Sequence, residues 1–206
     1  VILKFKQTNL KRYGVKNPMQ NKSIAEKSHK TNIEKYLKKM YGAAEFINNK
    51  ERYCLWLVGA SPVEIRNSKF ISDRVAKVKE FRLNSTKEAT KASADTSTIF
   101  QEIRQPISEY VIVPRHSSEN RRYIPLGFVS SEIIVNDAVQ IIPEATLYHF
   151  GVLTSNVHMA WMRAVAGRLK SDYRYSKDIV YNNFPWCNPT PEQKAKREET
   201  AQAILN

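Results

Sequence analysis

The hydrophobic pattern changes period at Tyr110, and that change most constrains the fold. Before it, Ile71, Val75 and Val78 recur at helical spacing, as in a helix that buries one stripe. After it come four short runs: Tyr110-Val111-Ile112-Val113-Pro114, Tyr123 to Val129, Ile133-Ile134-Val135 and Val139-Gln140-Ile141-Ile142. Their length and their β-branched and aromatic content mark strands, and the connectors His116 to Asn120 and Asn136-Asp137 carry turn chemistry. The chain is therefore expected to be α+β, with a small antiparallel or mixed sheet of at least four strands packed with several helices.

Local signals place the remaining elements. Glu34 to Met40 reads as a short helix stopped before Gly42, and Tyr53 to Val58 as a strand. Ser61-Pro62-Val63-Glu64 combines an N-cap, a proline at the first helical position and an acid three residues on, so a helix starts there. The stretch 62–83 is one helix or two with a break near Asn67-Ser68, and 84–98 reads as a loop. Thr154-Ser155-Asn156 supplies N-cap residues for a helix carrying Trp161, Met162, Val165 and Leu169 on one face and closing near Gly167. Ile179-Val180-Tyr181 reads as a further strand. Thr190-Pro191-Glu192-Gln193 is a second capping box, opening a helix from 191. That helix has few apolar positions, Ala195, Ile204 and Leu205 among them, and is expected to continue into or pack on something outside this sequence.

Composition removes several classes. The longest apolar runs, such as Cys54 to Ala60, are far too short to span a bilayer, so no membrane association is expected. Cys54 and Cys187 stand far apart without a ligand-spaced neighbour, which argues against a disulfide scaffold and a zinc site and for a reducing cytoplasm. The first residue is Val1, so a fragment of a larger polypeptide is expected. Of the net charge of +13, the first 50 residues carry most, with 12 Lys/Arg against 3 Asp/Glu. That stretch either tracks a polyanion or is a lysine-rich linker, and both readings stand. Downstream the positives are local: Arg121-Arg122, and the trio Arg163, Arg168 and Lys170.

No catalytic constellation is visible, so no catalytic residue is assigned. The glycines are scattered, with no phosphate-cradling loop. Asn188-Pro189-Thr190-Pro191 shares only two letters with the Asn/Asp-Pro-Pro-aromatic tetrad of base methylation. Glu192-Gln193-Lys194 has a nuclease-like spacing but reads as a solvated helix turn. The four histidines lie singly, and His149 and His158 are expected to be structural.

Several segments together resemble the MmeI-like DNA methyltransferases of restriction-modification systems. They are Glu45-Phe46-Ile47-Asn48 with Tyr53 to Leu57, Ile103-Arg104-Gln105-Pro106, and Arg122 to Phe128. The most extended match runs from Leu147-Tyr148-His149-Phe150-Gly151 through His158-Met159-Ala160-Trp161 and Gly167 to Ser176, ending at Tyr181-Asn182-Asn183-Phe184-Pro185-Trp186. The resemblance covers residues 42–205, weakens before Tyr41, and is broken at Ala44 and Cys187. It implies that 46–187 is a target recognition domain, that 1–45 is a linker or the tail of a preceding methyltransferase domain, and that 188–206 is a C-terminal helix. It further implies a parent that methylates adenine at N6 in a specific duplex sequence with S-adenosylmethionine. The piece here would hold no cofactor, have no activity of its own, and have as partners double-stranded DNA and the methyltransferase domain of the same polypeptide. Whether the parent also cleaves DNA stays open.

Two loops are then the candidate readers, because polar side chains discriminate base edges while cations grip phosphates. In the first, Ser118, Glu119, Asn120, Arg121 and Arg122 are expected to read bases, flanked by Arg115 and Ser117 on phosphates. In the second, Asp172 and Arg174 are expected readers, with Lys170, Ser176 and Lys177 on phosphates; the alternative is that Tyr173 and Tyr175 are packing groups and Arg168 or Arg174 pairs with Asp172 or Asp178. A stand-alone nucleic-acid-binding module is the alternative to an attached methyltransferase.

Overall fold

The computed structural model describes Thr8, Lys11, Arg12, Val15 and residues 33–206. Most of the lysine-rich stretch, and with it the choice between linker and polyanion track, lies outside the described residues. In chain order the elements are β1 (Leu37–Tyr41), α1 (Ala43–Asn48), β2 (Tyr53–Leu55), α2 (Pro62–Asn67), α3 (Lys69–Leu83) and α4 (Glu88–Ala92). Then follow β3 (Tyr110–Pro114), β4 (His116–Ser117), β5 (Gly127–Val129), β6 (Ile134–Val135) and β7 (Val139–Pro143). The chain ends with α5 (Leu147–Leu153), α6 (Asn156–Val165), β8 (Gly167–Leu169), β9 (Asp172–Arg174) and α7 (Pro191–Leu205). The α+β class expected from sequence is the one observed, and the strands divide among three small sheets ordered β2-β1-β6, β5-β3-β7 and β4-β9-β8.

The chain forms two compact units. One takes in the described residues up to Lys38 together with Cys54–Ile103, the other Lys39–Tyr53 and Arg104–Asn206. In the first unit Tyr36, Leu57 and Ile71 form a small core, with Leu55, Ile65 and Val75 packed against it. Helix α2 starts where the capping box requires: the Glu64 amide donates to Ser61 Oγ at 3.2 Å and the Ser61 amide to Glu64 Oε2 at 3.0 Å. The break comes at Ser68, which ends α2 and caps α3 through the Ile71 amide. The expected loop 84–98 instead contains α4 and a 3-10 turn, Ala94–Thr96. The cause is Arg82, only 7% exposed, whose guanidinium donates to the carbonyls of Ser93, Thr96 and Ile99 at 2.8, 3.0 and 2.7 Å. A polar Ser/Thr/Ala sequence folds here because a buried cation satisfies its carbonyls.

In the second unit strand β3 is buried along its whole length. Side chains of a strand alternate between faces, and here the two faces feed separate cores. Tyr110 and Ile112 meet Val129, Tyr41 and Phe46 on one side, while Val111 and Val113 meet Leu153, Met159, Met162 and Tyr173 on the other. Strands β5 and β7 flank β3 antiparallel. Between β5 and α1 the backbone must come close, since a Cβ on Gly127 would sit 3.1 Å from the Phe46 ring.

Four expectations change in detail. Of the expected helix 34–40 only residues 34–36 are helical, because Met40 and Tyr41 pair in parallel with Ile134 and Val135; partners remote in sequence override a helix-like spacing. The run 123–129 is strand only from Gly127. Ile179 to Tyr181 is a π-type turn, Lys177–Tyr181, in which Val180 is fully buried and its carbonyl accepts from Trp161 Nε1 at 2.9 Å. Finally, α7 is not left without a partner in this chain: its Ala201 is buried against Gly151 of α5, where an added Cβ would meet Ala201 Cβ at 3.1 Å.

Candidate nucleic-acid interface

The two candidate loops, some fifty residues apart in sequence, are joined through strand β9. On one edge β9 pairs with β4 in the register His116↔Arg174 and Ser117↔Tyr173. On the other it pairs with β8 in the register Gly167↔Arg174, Arg168↔Tyr173 and Leu169↔Asp172. Tyr173 is buried, so by strand alternation Asp172 and Arg174 stand together on the opposite, outer face. Opposite Arg174 stand His116 on β4 and Gly167 on β8, the latter without a side chain.

The first loop closes on itself, with the Arg121 amide bonded to the Ser118 carbonyl at 3.1 Å and the Asn120 amide to Ser118 Oγ at 3.3 Å. It is tied to the second loop by the Glu119 amide, which donates to Asp172 Oδ1 at 3.3 Å. Glu119, Asn120, Arg121 and Arg122 are exposed. The Arg122 guanidinium lies 5.2 Å from the Tyr123 ring centre, and its carbonyl accepts from Arg163 at 3.3 Å. In the second loop Lys170 sits at the hairpin tip with φ 56, an exposed side chain in the left-handed region. Arg115 is exposed while its carbonyl accepts from the Tyr175 amide at 2.8 Å. Lys177 is exposed beside Asp178, and Ser176 caps the π-type turn by accepting from the Val180 amide at 2.8 Å.

One expected residue does not fit. Ser117 is 7% exposed and its side of β4 is turned inward with Tyr173, so it is withdrawn as a phosphate contact. Of the alternative reading of the second loop, the tyrosines hold, since Tyr173 and Tyr175 are buried, but the ion pair does not: the carboxylate partner of Arg168 is Glu119, at 3.9 Å, across the two loops. Arg163 and Arg168, which the sequence marks only as local positives, join the site through a hydrogen bond to the Arg122 carbonyl and an ion pair with Glu119, contacts that no spacing along the chain announces.

The charge balance is one-sided. Arg115, Arg121, Arg122, Arg163, Arg168, Lys170, Arg174 and Lys177 are exposed, against Glu119, Asp172 and Asp178, so the surface favours a polyanion. Among the described residues no group of His, Cys, Asp and Glu is arranged to hold a metal ion, and no helix is long and apolar enough to cross a membrane.

Behind this surface His158 is fully buried on α6, with Nε2 3.1 Å from the Tyr175 hydroxyl and its ring edge-on to Phe184. His149 is structural as well: its Nδ1 accepts from the Thr146 amide at 3.1 Å and its ring packs on Trp186. Burial lowers the pKa of His158 to about 4. An unfolded histidine titrates near 6.5, so below that pH the unfolded chain takes up a proton that the fold refuses. Stability is unaffected by this group above about pH 6.5 and falls as pH drops from there toward 4. Thermal melts across that window should show wild type losing stability relative to His158→Asn; parallel curves would contradict the assignment.

The comparisons with known proteins agree with one another. The sequence model of the family described as "MmeI, target recognition domain" matches residues 9–188. The chain is similar to DNA methyltransferase A of Bacillus subtilis (strain 168), at 40% identity over 171 residues, which are 83% of this chain and 20% of that protein. It is also similar to the type IIL restriction-modification enzyme MmeI, whose structure was solved in complex with DNA. That match has 47% identity and a TM-score of 0.83 over 85% of this chain and 23% of that one. The chain thus spans about a fifth of the length of these relatives.

Proposed function

Because the chain belongs to the MmeI target recognition domain family, we propose that it chooses the DNA sequence on which a site-specific methyltransferase acts. The observation that carries this reading is the joining of two polar, cation-rich loops on the β4-β9-β8 sheet. Arg115, Lys170, Ser176 and Lys177 grip phosphates and set the register. Arg121, Arg122 and Arg174 suit guanine edges, Asn120 adenine, and Ser118, Glu119 and Asp172 cytosine amino groups in the major groove. The MmeI structure in complex with DNA supports duplex DNA as the ligand, and family membership favours this reading over a stand-alone binding module.

The specificity-bearing part is proposed to be 46–187, with 1–45 leading in from a methyltransferase domain and 188–206 following as a helix. That parent enzyme, placed in the cytoplasm, transfers a methyl group from S-adenosylmethionine to adenine N6. One cavity in the first unit does not fit that cofactor. The cavity of about 120 Å³ in the first unit is lined by Leu55, Leu57, Val75, Val78 and Phe100 with two arginines, and offers no carboxylate for ribose hydroxyls. The chain alone is therefore proposed to be inert, and flipping of the target base falls to the catalytic domain.

Fluorescence anisotropy of the full-length polypeptide on a labelled duplex tests the reading. Three cationic phosphate contacts predict that log K falls against log salt with a slope of about −3 or steeper. Salt-independent binding, or none, would leave the surface as a docking face and end the proposal.

A further inference from the structure

Beyond the backbone tie between the two loops, one side chain touches both. Arg168 lies across from Tyr173 on the β8-β9 pair, with its guanidinium carbon 3.9 Å from the tyrosine ring centre. Its Nη1 donates to the Ser171 carbonyl at 2.8 Å, beside the hairpin tip that carries Lys170. The same nitrogen is 3.9 Å from Glu119 Oε2 in the other loop. A planar guanidinium can stack on a ring and donate in its own plane at the same time, which an ammonium cannot do. Arg168 therefore has one face on Tyr173 and one edge on the hairpin turn, and its charge holds the Glu119 carboxylate. The Glu119 amide returns the tie to Asp172. As an exposed ion pair this contact adds little to stability, so its effect falls on where the side chains of both loops point.

We propose that Arg168 is a positioning residue that couples the two loops, so that the base choice made by Glu119 and the base choice made by Asp172 are set together. This rests on the DNA-reading function proposed above and deepens it. Interdependence follows from the geometry, because moving the guanidinium releases Glu119 and the hairpin turn at once. A plain phosphate contact at this position would instead change affinity for every sequence alike.

The test measures binding of the full-length polypeptide to its preferred duplex and to single-base variants of it, at several salt concentrations. Arg168→Lys keeps the positive charge and loses the stacked, in-plane arrangement. It should leave the salt slope unchanged while lowering the ratio of preferred to variant binding roughly tenfold, at the base pairs that Glu119→Gln also affects. The double variant should lose no more discrimination than the worse single one. Unchanged discrimination in Arg168→Lys, a uniform loss across all duplexes, or losses that add in the double variant would each overturn the coupling. Glu119 is an exposed turn residue, so its variant decides through the double comparison even where Arg168→Lys alone changes stability. Wild-type binding with no sequence preference at all would instead fail the functional reading itself, an outcome distinct from these.

Discussion

Arg82→Met should destabilise the first unit by about 3–5 kcal/mol, the lower part of what leaving three buried carbonyls without a donor costs at about 1–3 kcal/mol each. Methionine fills most of the volume, but it cannot donate to the Ser93, Thr96 and Ile99 carbonyls that now converge on the guanidinium. Those carbonyls belong to α4, the 3-10 turn and the segment leading to Phe100, none of which has a continuous apolar stripe to hold it. Arg82 therefore stands in for the core that this stretch lacks. Trp56, stacked on Phe100 at 5.6 Å, reports on the same region. Urea denaturation followed by near-ultraviolet circular dichroism should show an earlier transition in the variant, and a shift below about 1 kcal/mol would remove Arg82 as the organiser.

Arg122→Ala combined with Arg174→Ala should abolish site choice in the full-length enzyme. Each bidentate base contact discriminates by about 1–3 kcal/mol, so losing two lowers preference by roughly thirtyfold or more when the terms add. Both side chains are exposed, and each belongs to a different loop, so neither change opens a cavity. The readout is the methylation pattern of a genome carrying the variant enzyme, read by modification-sensitive sequencing. An unchanged pattern would remove both residues as base readers.

What the sequence revealed of the fold follows from how local each signal is. Helix starts at Pro62, Asn156 and Pro191 were legible because Ser61, Ser155 and Thr190 cap amides only three residues away. Strand β1, helix α4 and the π-type turn were misread because Ile134, Arg82 and Trp161 decide them from outside the segment. The candidate site shows the same division. Residue types in each loop were readable, although Asp172 and Arg174 lie on strand β9 and not on a turn. That Ser117 faces inward, that Arg168 reaches Glu119 instead of a nearer acid, and that the loops meet were not readable, because all three depend on β4 pairing with β9.

The path of the chain through its two units bears on how such a protein can change its preference over evolutionary time. Each unit is assembled from two separate stretches, with Lys39–Tyr53 belonging with Arg104–Asn206. A single recombination crossover anywhere between 54 and 103 would give a hybrid in which β6 from one ancestor must match β1 from another, at Met40↔Ile134 and Tyr41↔Val135. Wholesale exchange is therefore penalised, whereas exposed positions in the two turns can mutate without disturbing either core. New preferences in this lineage should arise by stepwise substitution at those turns, with changes on one compensated by changes on the other.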